Sequence, residues 1–273
     1  MKYSWIILLL ANSMVVAQDF SAYEKHYFNA PELNLPYRLL RPQVADSPKK
    51  YPLVIFLHGA GHKGFDNESQ LMIGGKYFLP DSIRTTYPAY VLFPQCPQID
   101  SWAYFDLVTD PATGRVSKWI FPFHKSPTEV SLVLKKLVDS LVQADKIDLS
   151  RIYIGGLSQG AMGVLDLIAR YPETFAAAFS ICGAGNESTC KRFAGQVSLW
   201  LFHGKEDDVV PSYFSAGFYK KLLKAGADVR YSEYSGVKHP SWINALNEPE
   251  LLQWIFSKQK TAGPNTVKKR ILP

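Results

Sequence analysis

Ser158 in the stretch Gly156-Leu-Ser158-Gln-Gly160, Asp207 and His239 are residues whose types could together run nucleophilic acyl transfer. A serine hydroxyl is a weak nucleophile alone. It needs a base to take its proton, an acid to orient that base, and N–H donors for the oxyanion that forms. Ser158 follows the apolar run Ile152-Tyr-Ile154 and precedes the apolar stretch Met162 to Ile168. Strand, tight turn and helix in that order make a nucleophile elbow. Gly156 and Gly160 flank the serine because such a turn is strained and its neighbours pass close to backbone.

The other groups follow in a consistent order. The apolar run Tyr51 to Leu57 leads into His58-Gly-Ala-Gly61, a glycine-rich turn. The backbone N–H groups of Ala60 and of Gln159, the residue after the serine, can point at a developing oxyanion. Downstream, Leu201-Phe-His-Gly-Lys-Glu-Asp207-Asp208 delivers acids from a strand end. Asp207 is the acid chosen to orient the base, with Glu206 and Asp208 as neighbours; an acidic cluster before Pro211 would also suit a helix N-terminus. His239 is the only histidine after Asp207. The order Ser, Asp, His therefore has one base to offer. His203 is expected to hydrogen-bond at its strand end and His58 to brace the oxyanion loop. His58 and His62, four apart, lie in a glycine loop where helical spacing does not apply, so no metal is expected.

Elements able to position these groups are legible along the chain. Stretches at 35–40, 51–57, 90–93, 152–154, 175–181, 197–202 and 229–234 read as strands, those at 51–57 and 90–93 as continuous apolar runs of the sort buried on both faces. A helix is predicted to open at Ser126-Pro-Thr-Glu129, with Ser126 as cap, and to run through Ala144. Further helices are predicted after the elbow and over 211–225 and 248–258. Alternating strands and helices favour a doubly wound α/β domain, in which reactive groups collect at the carboxyl ends of the strands.

Composition sets the remaining bounds. The chain has 273 residues, 47% of them hydrophobic, and a formal charge of +6. That is enough apolar material for one sizeable core. Part of the basic excess sits in Lys268-Lys-Arg270, and no basic helix or aromatic RNA-binding motif accompanies it, so nucleic acid is not an expected partner. Lys2, the apolar run Trp5 to Leu10 and the small residues before Gln18 describe a signal peptide over 1–17, followed by a single domain over 18–273. The apolar run falls short of the roughly 20 residues a spanning helix needs. A secreted or periplasmic product without stable membrane insertion is expected. Three cysteines then leave one unpaired if a disulfide forms, and Cys182 with Cys190 is the pair considered. An aromatic-rich insertion over 101–125 carries Trp102, Tyr104, Phe105, Trp119, Phe121 and Phe123. It would serve as a partial lid, as a stacking wall for a sugar or phenolic acyl group, or simply as packing.

The motifs together resemble an α/β-hydrolase of the phospholipase/carboxylesterase and dienelactone-hydrolase-like branch, similar to bacterial secreted esterases often labelled predicted peptidases. The likeness runs from about Leu35 to Lys258. It includes His58-Gly-Ala-Gly61 with Gly64 and Asp66-Asn67, Pro94-Gln-Cys-Pro97 with Trp102, and Gly156 to Gly160. It continues through Ile181-Cys-Gly183, His203-Gly204 with Asp207 and Pro211, and His239 to Trp242. Relatives commonly carry an acid where His62 stands and a second glycine where Ala161 stands. The resemblance implies an α/β-hydrolase fold with a mostly parallel sheet. It also implies a Ser158, Asp207, His239 triad with Ala60 and Gln159 as oxyanion donors, and no cofactor. Trp102 and Trp242 flank matched motifs and are placed nearest the substrate. The activity implied is a serine carboxylesterase acting on a small-molecule or polysaccharide ester, acetyl or feruloyl. A serine peptidase of the same fold and a non-catalytic carbohydrate-binding scaffold are the alternatives.

Overall fold

Apolar runs without polar alternation must be covered on both faces, and all seven residues of the 51–57 run are buried. The computed structural model describes residues 19–43, 49–144 and 146–260. The stretch expected to be a leader, 1–17, and the basic residues 268–270 lie outside the described residues. The strands are β1 (Glu24–Asn29), β2 (Asn34–Leu40), β3 (Tyr51–Leu57), β4 (Tyr90–Pro94), β5 (Asp106–Thr109), β6 (Val116–Ile120), β7 (Ile147–Leu157), β8 (Ala177–Ile181), β9 (Ser198–Gly204) and β10 (Val229–Tyr234). Eight of them form one sheet in the order β1-β2-β4-β3-β7-β8-β9-β10; β5 and β6 form a separate hairpin. β1 and β2 run antiparallel, as do β2 and β4, and every other neighbour pair in the large sheet is parallel.

Successive residues of the central strands feed two different cores, as a period of two requires. Leu53, Ile55 and Leu57 of β3, with Ile152 and Ile154 of β7, pack on one side. There they meet helices α2 (Glu129–Ala144), α3 (Gln159–Arg170) and α5 (Tyr213–Lys224) and the short α4 (Cys190–Phe193). Val54 and Phe56 of β3 and Tyr153 and Leu157 of β7 face the other side. That core is closed by α7 (Leu251–Phe256), by Ala245 of α6 (Trp242–Leu246), and by Leu71 and Phe78 near α1 (Asp81–Thr86). The α/β arrangement with a mostly parallel sheet agrees with the expectation from sequence.

Three details differ from it. The predicted cap of α2 moves by two residues: Thr128 Oγ1 accepts from the Ser131 N–H at 3.4 Å, and the Thr128 carbonyl accepts from Leu132 at 2.9 Å. Asp100 adds a carboxylate to the same helix end, accepting from the Val130 N–H at 2.8 Å. A nearby side chain therefore does the work assigned to the local Ser126-Pro box. Second, β1 and the β5–β6 hairpin were not predicted, and the closing helix is six residues long rather than eleven. Third, Cys182 and Cys190 are both free thiols. Cys182 packs in the core on one face of the sheet and Cys190 in the core on the other, so the sheet stands between them.

Candidate active site

The elbow is set by backbone crowding. Ser158 sits between β7 and α3 at φ 52° and ψ −121°, a conformation an L side chain rarely adopts. Such strain costs on the order of 1–3 kcal/mol and persists only where the surroundings impose it. Here they do. A Cβ on Gly160 would lie 2.1 Å from the Leu57 carbonyl oxygen, and one on Gly156 2.8 Å from the Gly160 carbonyl. The first turn of α3 is thus pressed onto the end of β3, and Ser158 is turned outward above both strands.

Asp207 and His239 arrive from the ends of β9 and β10. β9 ends at Gly204, where a Cβ would meet the Lys238 carbonyl oxygen at 2.3 Å, so the loop carrying His239 passes directly over it. Backbone bonds lock the two loops together: the Lys205 N–H donates to Tyr234 O at 2.9 Å and the Glu206 N–H to Val237 O at 3.0 Å. His239 Nε2 then lies 3.0 Å from Ser158 Oγ, and its Nδ1 lies 2.8 Å from Asp207 Oδ2 and 3.1 Å from Oδ1. An ionised carboxylate only accepts, so Nδ1 carries the imidazole proton and Nε2 is left to take one from the serine. The Asp207 side chain is fully buried, while Asp208 is spent on an exposed ion pair with Lys238 at 2.9 Å. That contrast separates the two adjacent acids.

Asp207 stays ionised in spite of its position. Burial pushes its carboxyl up, but hydrogen bonds from His203, from His239 and from the Val209 and Val210 N–H groups outweigh that and hold it well below the usual carboxylate range. His203 is the residue whose place at this site sequence reading missed. It was expected to hydrogen-bond at the strand end, and it does, but one of its partners is Asp207 itself: Nε2 lies 3.1 Å from Asp207 Oδ2. The signal was the four-residue spacing from His203 to Asp207 across a glycine.

The oxyanion side is built on the β3 end. Ala60 opens a turn of 3-10 helix (Ala60–His62) and Gln159 is the first residue of α3. First-turn N–H groups have no partner inside a helix. Among the described residues neither N–H has a backbone partner. A Cβ on Gly59 would lie 3.5 Å from Ser158 Cβ, which places the glycine loop beside the nucleophile. His58 braces that loop: its Nε2 accepts from the Cys96 N–H at 2.9 Å, so Nδ1 is the protonated nitrogen and donates to Gly59 O at 2.7 Å. With both nitrogens used, His58 has none to give a metal. Burial drives its pKa down to about 4.

The two tryptophans separate. Trp242 packs its ring edge-on to His239, with centroids 5.7 Å apart at 90°, and so stands beside the candidate base. Trp102 does not reach the substrate: it is 0% exposed and its Nε1 donates to the His58 carbonyl at 3.1 Å. The correction follows from its neighbours, since a ring pressed between His58 and Gly163 has no face left for a ligand. Its role is to hold the strand end that carries the oxyanion loop. The rings beside the site come instead from the hairpin. Phe105, Trp119 and Phe121 stand nearly parallel, with centroids 6.4 and 6.0 Å apart, against Phe214 of α5. They are half-buried over Met162, one turn beyond Ser158, and Val210, three residues beyond Asp207.

A mostly parallel sheet of this order, with an elbow after β7 and an acid and a base after β9 and β10, is the arrangement of the α/β-hydrolase fold. The family model for Phospholipase/Carboxylesterase matches residues 43–249, and the chain belongs to that family. A solved thermostable esterase superposes with a TM-score of 0.78 at 36% identity, covering 88% of this chain and 64% of that one. Poly(3-hydroxyalkanoate) depolymerase C of Paucimonas lemoignei is 27% identical over 218 residues, which is 80% of this chain and 42% of that protein. Lysophospholipase-like protein 1 of Mus musculus is 25% identical over 236 residues, 81% of this chain and 92% of that protein. The chain thus spans less than two thirds of the depolymerase and of the thermostable esterase.

Proposed function

We propose that the chain is an exported serine esterase that works through an acyl-enzyme on Ser158 and removes acyl groups, acetyl or feruloyl, from polysaccharide. The observation that carries the mechanism is the unbroken line of contacts from Ser158 Oγ through His239 to Asp207, at 3.0 and 2.8 Å. His239 Nε2 takes the Ser158 proton as Oγ attacks the ester carbonyl, and the Ala60 and Gln159 N–H groups receive the oxyanion. Collapse of the intermediate expels the alcohol, which leaves with the proton from Nε2. Water then gives its proton to Nε2, adds to the acyl group, and releases the acid with Oγ reprotonated. Asp207 stays charged throughout and steadies the imidazolium.

Export is supported by the leader pattern at 1–17. The polysaccharide reading is supported by the partly buried Trp119 and Phe121 rings, flat surfaces suited to a sugar or a phenolic ring beside the site. The test is a panel of acetyl, butyryl and feruloyl esters on small alcohols and on xylan, run beside a peptide anilide. Turnover of acylated xylan above that of the small esters, lost in Trp119→Ala, is expected. Equal turnover of both with no effect of Trp119→Ala would remove the polysaccharide assignment, and faster anilide cleavage would favour a peptidase.

A further inference from the structure

Ester hydrolysis requires one imidazole on the triad acid, and this site has two. His203 is the penultimate residue of β9, is 0% exposed, and lies against Asp207 Oδ2 beside the His239 contact. Its Nε2 faces two acceptors, Asp207 Oδ2 at 3.1 Å and the Val210 carbonyl at 2.9 Å, so that nitrogen carries a proton. Its Nδ1 lies 2.7 Å from the hydroxyl of Ser215, a buried residue of α5.

A carboxylate offers about four lone-pair sites. On Asp207 each is taken. Oδ1 accepts from the Val209 N–H at 2.9 Å and the Val210 N–H at 2.8 Å, while Oδ2 accepts from His239 Nδ1 at 2.8 Å and lies 3.1 Å from His203 Nε2, whose N–H it shares with the Val210 carbonyl. Three contacts come from the acid's own loop and from His239. Only His203 ties the carboxylate to the rigid strand beneath it.

We infer that His203 is a positioning residue of the triad: with Ser215 behind it, it fixes the carboxylate plane of Asp207 and draws charge from the oxygen that orients His239. This rests on the triad reading given above. When His239 takes up the serine proton, the imidazolium is stabilised by Oδ2. A second N–H on Oδ2 moderates that stabilisation and keeps His239 from holding its proton too strongly to return it to the leaving alcohol. Other groups around the pair leave this balance to His203. From the β8 end, the Cys182 thiol lies within 4.8 Å of the Asp207 carboxylate and a His239 nitrogen, and burial pushes it up to about 12, so it stays neutral. Ser241 from the His239 loop and Ser215 from α5 are uncharged, and Lys238 is paired outward with Asp208.

The test is the pH dependence of kcat and kcat/KM for the parent, His203→Phe, His203→Gln, Ser215→Ala and Ser158→Ala on one soluble ester. Removing the second N–H in His203→Phe leaves Oδ2 more basic and the carboxylate free to tilt. A fall in kcat of about 10- to 100-fold is expected, the rate equivalent of one hydrogen bond to a charged group. KM stays within about threefold, and the acid limb of kcat/KM moves up on the order of half a pH unit. Gln at 203 presents an amide N–H near the Nε2 position and is expected to restore the parent's acid limb. Ser215→Ala shifts the limb in the same direction by less and decides the matter if His203→Phe does not fold by circular dichroism. A folded His203→Phe with kcat within twofold of the parent and an unmoved limb overturns the inference, as does an unmoved limb in Ser215→Ala where the Phe variant fails to fold. Those outcomes leave the triad standing, provided Ser158→Ala is dead; a Ser158→Ala chain as active as the parent overturns both.

Discussion

Gly160→Ala tests whether the elbow and the oxyanion loop move as one rigid unit. The added methyl group falls 2.1 Å from the Leu57 carbonyl oxygen, 2.6 Å from the Leu57 carbonyl carbon and 2.7 Å from the His58 oxygen. All three are backbone atoms, so no side chain can swing aside. Non-bonded carbon settles at roughly 3.5 Å from its neighbours, so α3 and the β3 end must part by about 1 Å. Forcing an extra methyl into packed backbone costs about 1–3 kcal/mol. The same displacement separates the Ala60 N–H from Ser158, and a misplacement of about 1 Å at a reacting centre costs roughly 100-fold in rate. Urea unfolding and steady-state hydrolysis of a short-chain p-nitrophenyl ester read both effects. Expected are a lower urea midpoint and a kcat about 100-fold below the parent with little change in KM. A variant that keeps the parent's midpoint and a kcat within threefold would refute the claim that this contact sets the site.

Other expected outcomes concern protonation and thiols. His58 is buried neutral, with a folded pKa of about 4 against an ordinary 6.5. The folded value lies below the unfolded one, so its stabilisation is complete above pH 6.5 and is lost as pH falls from 6.5 through 4, by up to about 3 kcal/mol. Urea midpoints between pH 4 and 8 should show that loss in the parent and a flatter curve in His58→Gln; parallel curves would refute it. Alkylation of the unreduced, denatured chain should add three carbamidomethyl groups, one for each free thiol. Addition of only one would restore a disulfide.

The strands that carry the site were legible because their sequences admit one environment. Tyr51 to Leu57 is apolar at every position but the proline and is found as β3 with the bounds expected of it. The candidate triad was legible for a different reason: Ser158 and Asp207 stand a few residues past apolar runs, His239 follows the 229–234 strand, and chain order leaves one histidine after Asp207. What sequence did not show depends on contacts between distant segments. β1, Glu24–Asn29, is an edge strand with alternating exposure and few apolar residues, and only pairing with β2 makes it a strand. Trp102 looked like a substrate residue because it flanks a motif, yet motif adjacency cannot tell which way a ring points. The Cys182–Cys190 pairing failed because eight residues of separation say nothing about which face of a sheet each thiol occupies. His203 was placed at the strand end correctly, and its bond to Asp207 became visible only once the loop had folded back over β9.

The most direct measurement is intact mass with peptide mapping after exposure of the folded protein to a fluorophosphonate, with Ser158→Ala and His239→Ala alongside. A single phosphonyl group on Ser158, none on Ser158→Ala and much slower labelling of folded His239→Ala are expected. A folded parent that takes up no phosphonyl group, or takes it on another serine, would contradict the assignment of Ser158 as the activated nucleophile.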